Sequence, residues 1–424
     1  MRLLAISCML PPILYPQAIQ IGRLLRNCQM ELVTVSAEFQ NGNEMQGPEN
    51  SLGTSCLEQI KIAHTPLLRG LSHRLALRLL PWYGRSPDEF VAWSHNAAAK
   101  VGQWLDDHPD AIQVMATFGE PMSDHLLGLT LKRRYGLPWL AHFSDPWSDN
   151  PFRRGQPLSQ WKNRSLEQQV IKAADCLVFT SEETRQLVMR KYAPEWTSKS
   201  FVLAHSFDAT AFPTNCSAPS TNDDDAIVLR YLGNFYGPRT PFPLIASLVR
   251  LLASHPRALE KVRVELIGTM SSWMYWHPLL RRLPKHLFTI QRTVPYASSL
   301  KLMMEADLLL VIDAPTELSV FLPSKLVDYI GSRRPILGIV PPGASQKLIA
   351  QLGGITAAPD RPEAIDAALL AGLEMARQSR LANEPWGAPA VRKQYEIERI
   401  ASLFRERLAW TVEHSCQDKS IRQP

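Results

Sequence analysis

Long apolar runs are the first thing missing from this 424-residue chain. None approaches the roughly 20 residues that a membrane-spanning helix needs. Paired cysteines are missing too. Cys8, Cys28, Cys56, Cys176, Cys216 and Cys416 are scattered, with no Cys-x-x-Cys and no paired histidine spacing. This argues against a zinc module or a disulfide framework and for free thiols in a reducing, cytoplasmic setting. No Gly-x-Gly-x-x-Gly or P-loop pattern is present, which excludes a dinucleotide fingerprint and a P-loop NTPase. Basic and aromatic residues do not interleave in the manner of a nucleic-acid surface, so no nucleic-acid partner is expected. Acidic residues are in mild deficit: 46 Lys and Arg against 40 Asp and Glu, a net charge of +6 and a pI near 9.0. Anionic partners fit that balance. Two acidic clusters, at residues 223–225 and 106–110, fall in a polar linker and at a helix end. Both read as solvated surface, and no metal ligands are expected.

What is present is a globular composition, 45% hydrophobic and 20% charged, long enough for two or three domains. The opening Met1–Cys8 has some look of an export signal. Its apolar run is short and is broken by Pro11-Pro12, so a first strand is the expectation. Apolar runs at residues 3–7, 31–36, 114–117, 139–142 and 176–180 alternate with helical patterns at 16–26, 88–105 and 123–135. A polar, Pro- and Ser-rich stretch follows, and then the rhythm restarts with runs at 227–232, 262–267, 308–312 and 335–340. Strands alternating with helices predict parallel sheets covered on both faces. The expected boundaries are a domain over 1–208, a linker over 209–225, a second domain over 226–385, and a terminal helix and tail over 386–424.

Three stretches carry chemistry. Residues 321–330 place Ser324 and Lys325 at a helix start with Asp328 one turn on. Free N–H groups, a positive dipole end and a lysine suit a phosphate, and a carboxylate one turn on suits sugar hydroxyls. The competing reading is ordinary capping by Ser324. After the strand at 227–232, Gly233 and Gly237 permit close backbone approach, and Arg239 is placed to clamp a diphosphate; a plain strand–helix turn with a surface arginine is the alternative. In the first half, His142, Ser144 and Asp145 follow a buried strand, where a carboxylate or imidazole can orient or deprotonate an acceptor hydroxyl. An Asp-Pro turn capping the next helix reads equally from those residues. Glu120 stands on a similar loop as a weaker candidate. Residues 67–85 combine leucines on one helical face with Arg69, Arg74, Arg78 and Arg85 and end in Trp82 and Tyr83. That pattern fits a helix lying on an anionic membrane surface, or one packed on its own domain.

Taken in order, Gly233 to Arg239, Gly268, Val294 to Tyr296, Glu305 to Val311, Pro323 to Tyr329 and Arg334 to Leu337 resemble the donor domain of GT-B glycosyltransferases, in particular the retaining family 4. The likeness is strongest over residues 227–360. In the first half it is carried by Pro11-Pro12, the strand entry at residues 136–140, and Asp145-Pro-Trp147. The resemblance implies an α/β protein of two Rossmann-like domains facing each other across a cleft, with a C-terminal helix crossing back. It implies a glycosyltransferase moving a sugar from a nucleotide-sugar to a glycan or lipid-linked acceptor in cell-surface polysaccharide biosynthesis. The transfer would retain configuration and need no metal or other cofactor. Arg239 and Lys325 would neutralise the diphosphate and Ser324 would hydrogen-bond to it. Gly233 and Gly268 would give it room, Asp328 would hold the ribose, and Val294 and Tyr296 would line the base pocket. The family often has a glutamate eight positions before the Asp328 position. Val320 stands there, and Glu317 is its nearest substitute. That departure keeps a non-catalytic scaffold open, and an epimerase of the same fold is the other alternative. A cytoplasmic protein, peripheral to the membrane through residues 67–85, completes the expectation.

Overall fold

The computed structural model describes residues 1–39, 51–64, 86–152, 157–214, 226–382 and 384–420. The expected membrane-surface stretch at 67–85 and most of the expected linker lie outside the described residues. The chain divides into two compact units, Met1–Ala204 with Glu398–Pro424, and His205–Ile397.

In the first unit the strands are β1 Arg2–Ile6, β2 Glu31–Glu38, β3 Cys56–Ala63, β4 Val114–Gly119, β5 Trp139–Phe143, β6 Cys176–Phe179 and β7 Ser200–Val202. They lie in the order β3-β2-β1-β4-β5-β6-β7 and every pairing is parallel. The central strands are buried on both faces, which is why β1, β4, β5 and β6 read as near-continuous apolar runs. Helices Pro16–Asn27, Val91–Asp107, Ser123–Tyr135 and Pro157–Ala173 belong to this unit. The last helix, Ile397–Ser420, returns to it: Ile400, Ala401, Phe404 and Leu408, at helical spacing, are all buried. The Phe404 ring lies 6.0 Å from that of Phe118, and Arg405 donates to the Cys28 carbonyl at 3.4 Å.

In the second unit the strands are β8 Ile227–Leu232, β9 Val262–Ile267, β10 Phe288–Gln291, β11 Leu308–Ile312, β12 Ile336–Ile339 and β13 Ile355–Ala357. Their order is β10-β9-β8-β11-β12-β13, again all parallel. Asp307, just before β11, is bound by Arg380 of the Pro362–Ala382 helix through both carboxylate oxygens and accepts from Val228 N at 2.8 Å, which locks helix to sheet.

In both units the strand order runs outward in one direction and then reverses. The reversal falls between β1 and β4 in the first unit and between β8 and β11 in the second. In open parallel sheets ligands bind outside the carboxyl ends of the strands at such a reversal. The loops after Ile6, Gly119, Leu232 and Ile312 are therefore the positions where the architecture leaves a crevice.

Candidate functional site

In the second unit the loops after β8 and β9 are laced together. Gly233 N donates to Ile267 O at 2.8 Å, Phe235 N donates to Thr269 O at 2.8 Å, and Asn234 Oδ1 accepts from Thr269 N at 3.0 Å. Both strands end on a glycine at a backbone angle that side chains disfavour: φ is +144° at Gly233 and +149° at Gly268. A Cβ on Gly268 would sit 1.9 Å from Gly233 O, and one on Gly233 would sit 2.3 Å from Lys325 Nζ. The glycines are thus required by how closely the two loops and the lysine approach.

Lys325 lies in the first turn of the helix Ser324–Ser332. Pro323 occupies the cap position and no side chain caps the helix, so the capping reading of Ser324 is not what the structure adopts. The helix is buried along most of its length and is tied to the end of β8 by Tyr329, whose hydroxyl accepts from Leu232 N at 2.8 Å. Lys325 Nζ donates to Tyr231 Oη at 2.6 Å and stands 3.9 Å from the centre of that ring. Burial, with the nearby positive Arg239, holds the Lys325 ammonium well below its usual range, and Asp313 only partly opposes this.

Arg239 is held by Asp313, Nη2 and Nε lying 3.0 and 3.3 Å from Oδ1. Burial pulls the guanidinium pKa down, but Asp313 together with Tyr231 and Tyr236 more than offsets it, so Arg239 stays charged. Asp313 is itself 2% exposed and also accepts from Ser319 Oγ at 3.0 Å and Ala314 N at 2.9 Å. The sequence analysis did not single out Asp313. The signal was there: a lone carboxylate directly after a five-residue apolar strand, beside the strand reversal.

The structure brings Gly233, Arg239, Gly268, Ser324 and Lys325 together at the carboxyl ends of β8 and β9 and the start of one helix. Asp328 and Tyr296 meet as a pair, the Tyr296 hydroxyl donating to Asp328 Oδ1 at 3.1 Å. Val294 is half-buried two residues before Tyr296. Val320 is 3% exposed and Glu317 is exposed on the loop between Asp313 and Pro323. Among the described residues no group of three or more His, Cys, Asp or Glu side chains is arranged to hold a metal ion.

In the first unit, His142 lies within β5, opposite Phe118 in the strand register, and is 3% exposed. Its ring is 5.5 Å from that of Phe118. Asp145 follows the strand end and is half-buried. Their loop is fixed from below. Lys191 Nζ lies 2.6 Å from both Asp149 and the fully buried Glu167, and Glu167 accepts from Ser148 N and the Tyr192 hydroxyl. Glu120 follows β4 at the strand reversal with φ +95°, an uncommon angle for a side-chain-bearing residue. Asp124 and His125 lie beneath this loop. Asp124 Oδ2 accepts from Cys8 N at 2.9 Å, and its carboxyl is pushed well above the usual range by burial. Burial and His142 lower His125 to about 3, so it is a neutral imidazole bonded to the Thr117 hydroxyl at 2.7 Å.

Comparison with known proteins bears on this arrangement. The model of the glycosyl transferase 4-like domain matches residues 30–197. No curated protein matches by sequence. Among solved structures, Anabaena Alr3699/HepE in complex with UDP-glucose superposes with a TM-score of 0.62 at 12% identity, covering 96% of this chain and 99% of that one. The lipopolysaccharide outer core galactosyltransferase WaaB gives 0.60 at 12% identity, with 96% and 99% covered. WaaG, a glycosyltransferase involved in lipopolysaccharide biosynthesis, gives 0.61 at 14% identity with the same coverage. The GT-B fold and the likeness to family 4 expected from the sequence are both borne out.

Proposed function

We propose that this glycosyltransferase, a GT-B chain with a glycosyl transferase 4-like domain, takes a nucleoside-diphosphate sugar in its second unit and transfers the sugar to a glycan or lipid-linked acceptor. The observation that carries the donor half is the Gly233–Gly268–Lys325 cluster beside Arg239. Two glycines clear backbone space at a strand reversal, and the Arg239 guanidinium, the Lys325 amine and an uncapped helix start face that space. A diphosphate is the ligand class that rewards this combination. The neighbours described as complexes with UDP and UDP-glucose support the same class.

The chemistry follows from the charges. As the bond from the sugar's anomeric carbon to the diphosphate oxygen breaks, negative charge grows on the diphosphate. Arg239, pre-oriented by Asp313, and Lys325 are already in place to stabilise it without reorganising. The acceptor oxygen bonds to the anomeric carbon on the same face, and its proton passes to the departing diphosphate oxygen, so configuration is retained. Lys325, Arg239 and the helix start supply the positive charge that a metal ion supplies in other transferases, and this supports a metal-independent reaction. Asp328 with Tyr296 takes the ribose and base end. The acceptor would approach Asp145 and Glu120, with His142 packed beneath, and the lipopolysaccharide enzymes among the structural neighbours support a cell-surface glycan as its class. Membrane contact through residues 67–85 belongs to the same proposal.

Saturation-transfer NMR against UDP-, GDP- and dTDP-sugars in EDTA tests the donor half. One nucleotide series should show saturable contacts that Arg239→Ala removes. Silence from every nucleotide would sink the proposal.

A further inference from the structure

The crossover from β9 to β10 is unusual in composition. Residues 266–304 contain five Lys or Arg and no Asp or Glu. Instead of an α-helix, this connection is built from two short 3₁₀ turns, Ser272–Trp276 and Pro278–Arg282. It has its own apolar anchors: Met274 is 0% exposed and Leu283 8%, both in the core of the second unit. With those side chains turned inward, their neighbours are forced out. Trp273 is 55% exposed, Tyr275 47% and Trp276 74%. Trp273 and His277 flank the Phe242 ring at 5.6 and 3.9 Å, which fixes the aromatic end at the start of the helix Phe242–Ser254. Arg281, Arg282 and Lys285 follow immediately, all exposed.

Exposed aromatic rings that merely lacked room in the core would not recur three times within four residues, as Trp273, Tyr275 and Trp276 do, nor adjoin a cluster of cations without one acid. Large amphipathic rings beside arginine and lysine match the boundary layer of an anionic bilayer: the rings enter the headgroup region and the cations pair with lipid phosphates. We infer that this crossover is an anionic-membrane docking surface on the second unit, separate from the stretch at residues 67–85. It would bring the donor-binding unit to the lipid surface. The inference does not depend on the donor chemistry.

The experiment is co-sedimentation of the full chain with phosphatidylglycerol-containing vesicles and with phosphatidylcholine vesicles. The variants are Arg281→Gln/Arg282→Gln, Trp276→Ser, and Arg74→Gln/Arg78→Gln as the independent arm. The expected result is binding to the anionic vesicles alone. Removing two interfacial charges should weaken it about thirtyfold, and Trp276→Ser should weaken it as well. The thermal midpoint, read in parallel, should be unchanged in every variant, which shows that the variants fold, and unchanged nucleotide binding separates this inference from the donor proposal. Absence of vesicle binding would overturn it, as would binding lost only in the Arg74/Arg78 arm. Vesicle-independent quenching by neutral oligosaccharides that Trp276→Ser abolishes, with vesicle binding intact, would assign the aromatics to a glycan and also overturn it.

Discussion

At the scale of single residues, the site is defined by what each position cannot tolerate. Gly233 and Gly268 share a positive φ, but a side chain at each would meet different neighbours. At Gly268 the obstacle is the Gly233 carbonyl, backbone that cannot move without breaking the β8–β9 loop pairing. At Gly233 it is the end of the Lys325 side chain, which can swing away. Gly268→Ala should therefore lower the thermal midpoint more than Gly233→Ala, while both impair nucleotide binding. Equal midpoints for the two variants in a melting experiment would show that the loop contact does not matter. Asp313 shows why some of the site escaped the sequence. Its significance comes from Arg239, 74 residues earlier in the chain, and a solitary aspartate after a strand looks like any turn residue until that partner is known. Lys325 was legible because helix start, lysine and spacing all lie within one short segment. Asp328 and Tyr296 were each legible, but not their mutual hydrogen bond.

At the scale of elements, the central strands could be read as apolar runs because they are buried on both faces. The edge strands could not. β3 is mostly exposed, and β7 and β13 are three residues each, too short for a pattern. The loop carrying Asp145 depends on an arrangement no local pattern shows. Glu167 is completely buried and its charge is met by Lys191, which also reaches Asp149 and Ser148. Removing one partner of a buried ion pair leaves the other uncompensated, at a cost of about 3–5 kcal/mol. Lys191→Met should lower unfolding stability by that amount in a denaturant titration, and the double variant Lys191→Met/Glu167→Leu should recover part of it. A single variant within about 0.5 kcal/mol of the parent would mean that the network does not hold the loop.

At the scale of the molecule, two parallel sheets with the same pattern of strand order, 3-2-1-4-5-6 in the second unit and one further edge strand in the first, account for where the chemistry sits. The tandem repeat of strand and helix made both legible, and no described helix is long and apolar enough to cross a membrane. The donor claim rests on the second of these units. Lys325 is buried with its ammonium disfavoured, so the empty site binds fewer protons than a site holding a diphosphate, which restores the charge. Binding should accordingly take up protons, and affinity should fall as pH rises between the depressed pKa of the free site and the higher one of the complex. Replacing Lys325 by methionine removes a charge-assisted hydrogen bond worth roughly 1.5–3 kcal/mol, about ten- to a hundredfold in affinity, and relieves a desolvation penalty in the empty protein. The direct measurement is a calorimetric titration of UDP, GDP and dTDP in EDTA, in two buffers of different ionisation heat, on the parent and on Lys325→Met. The account predicts saturable binding with proton uptake in the parent. In the variant it predicts binding at least about tenfold weaker, at an unchanged or higher thermal midpoint. A folded parent that gives no binding heat with any of the three nucleotides, or a variant that binds as tightly as the parent, would contradict it.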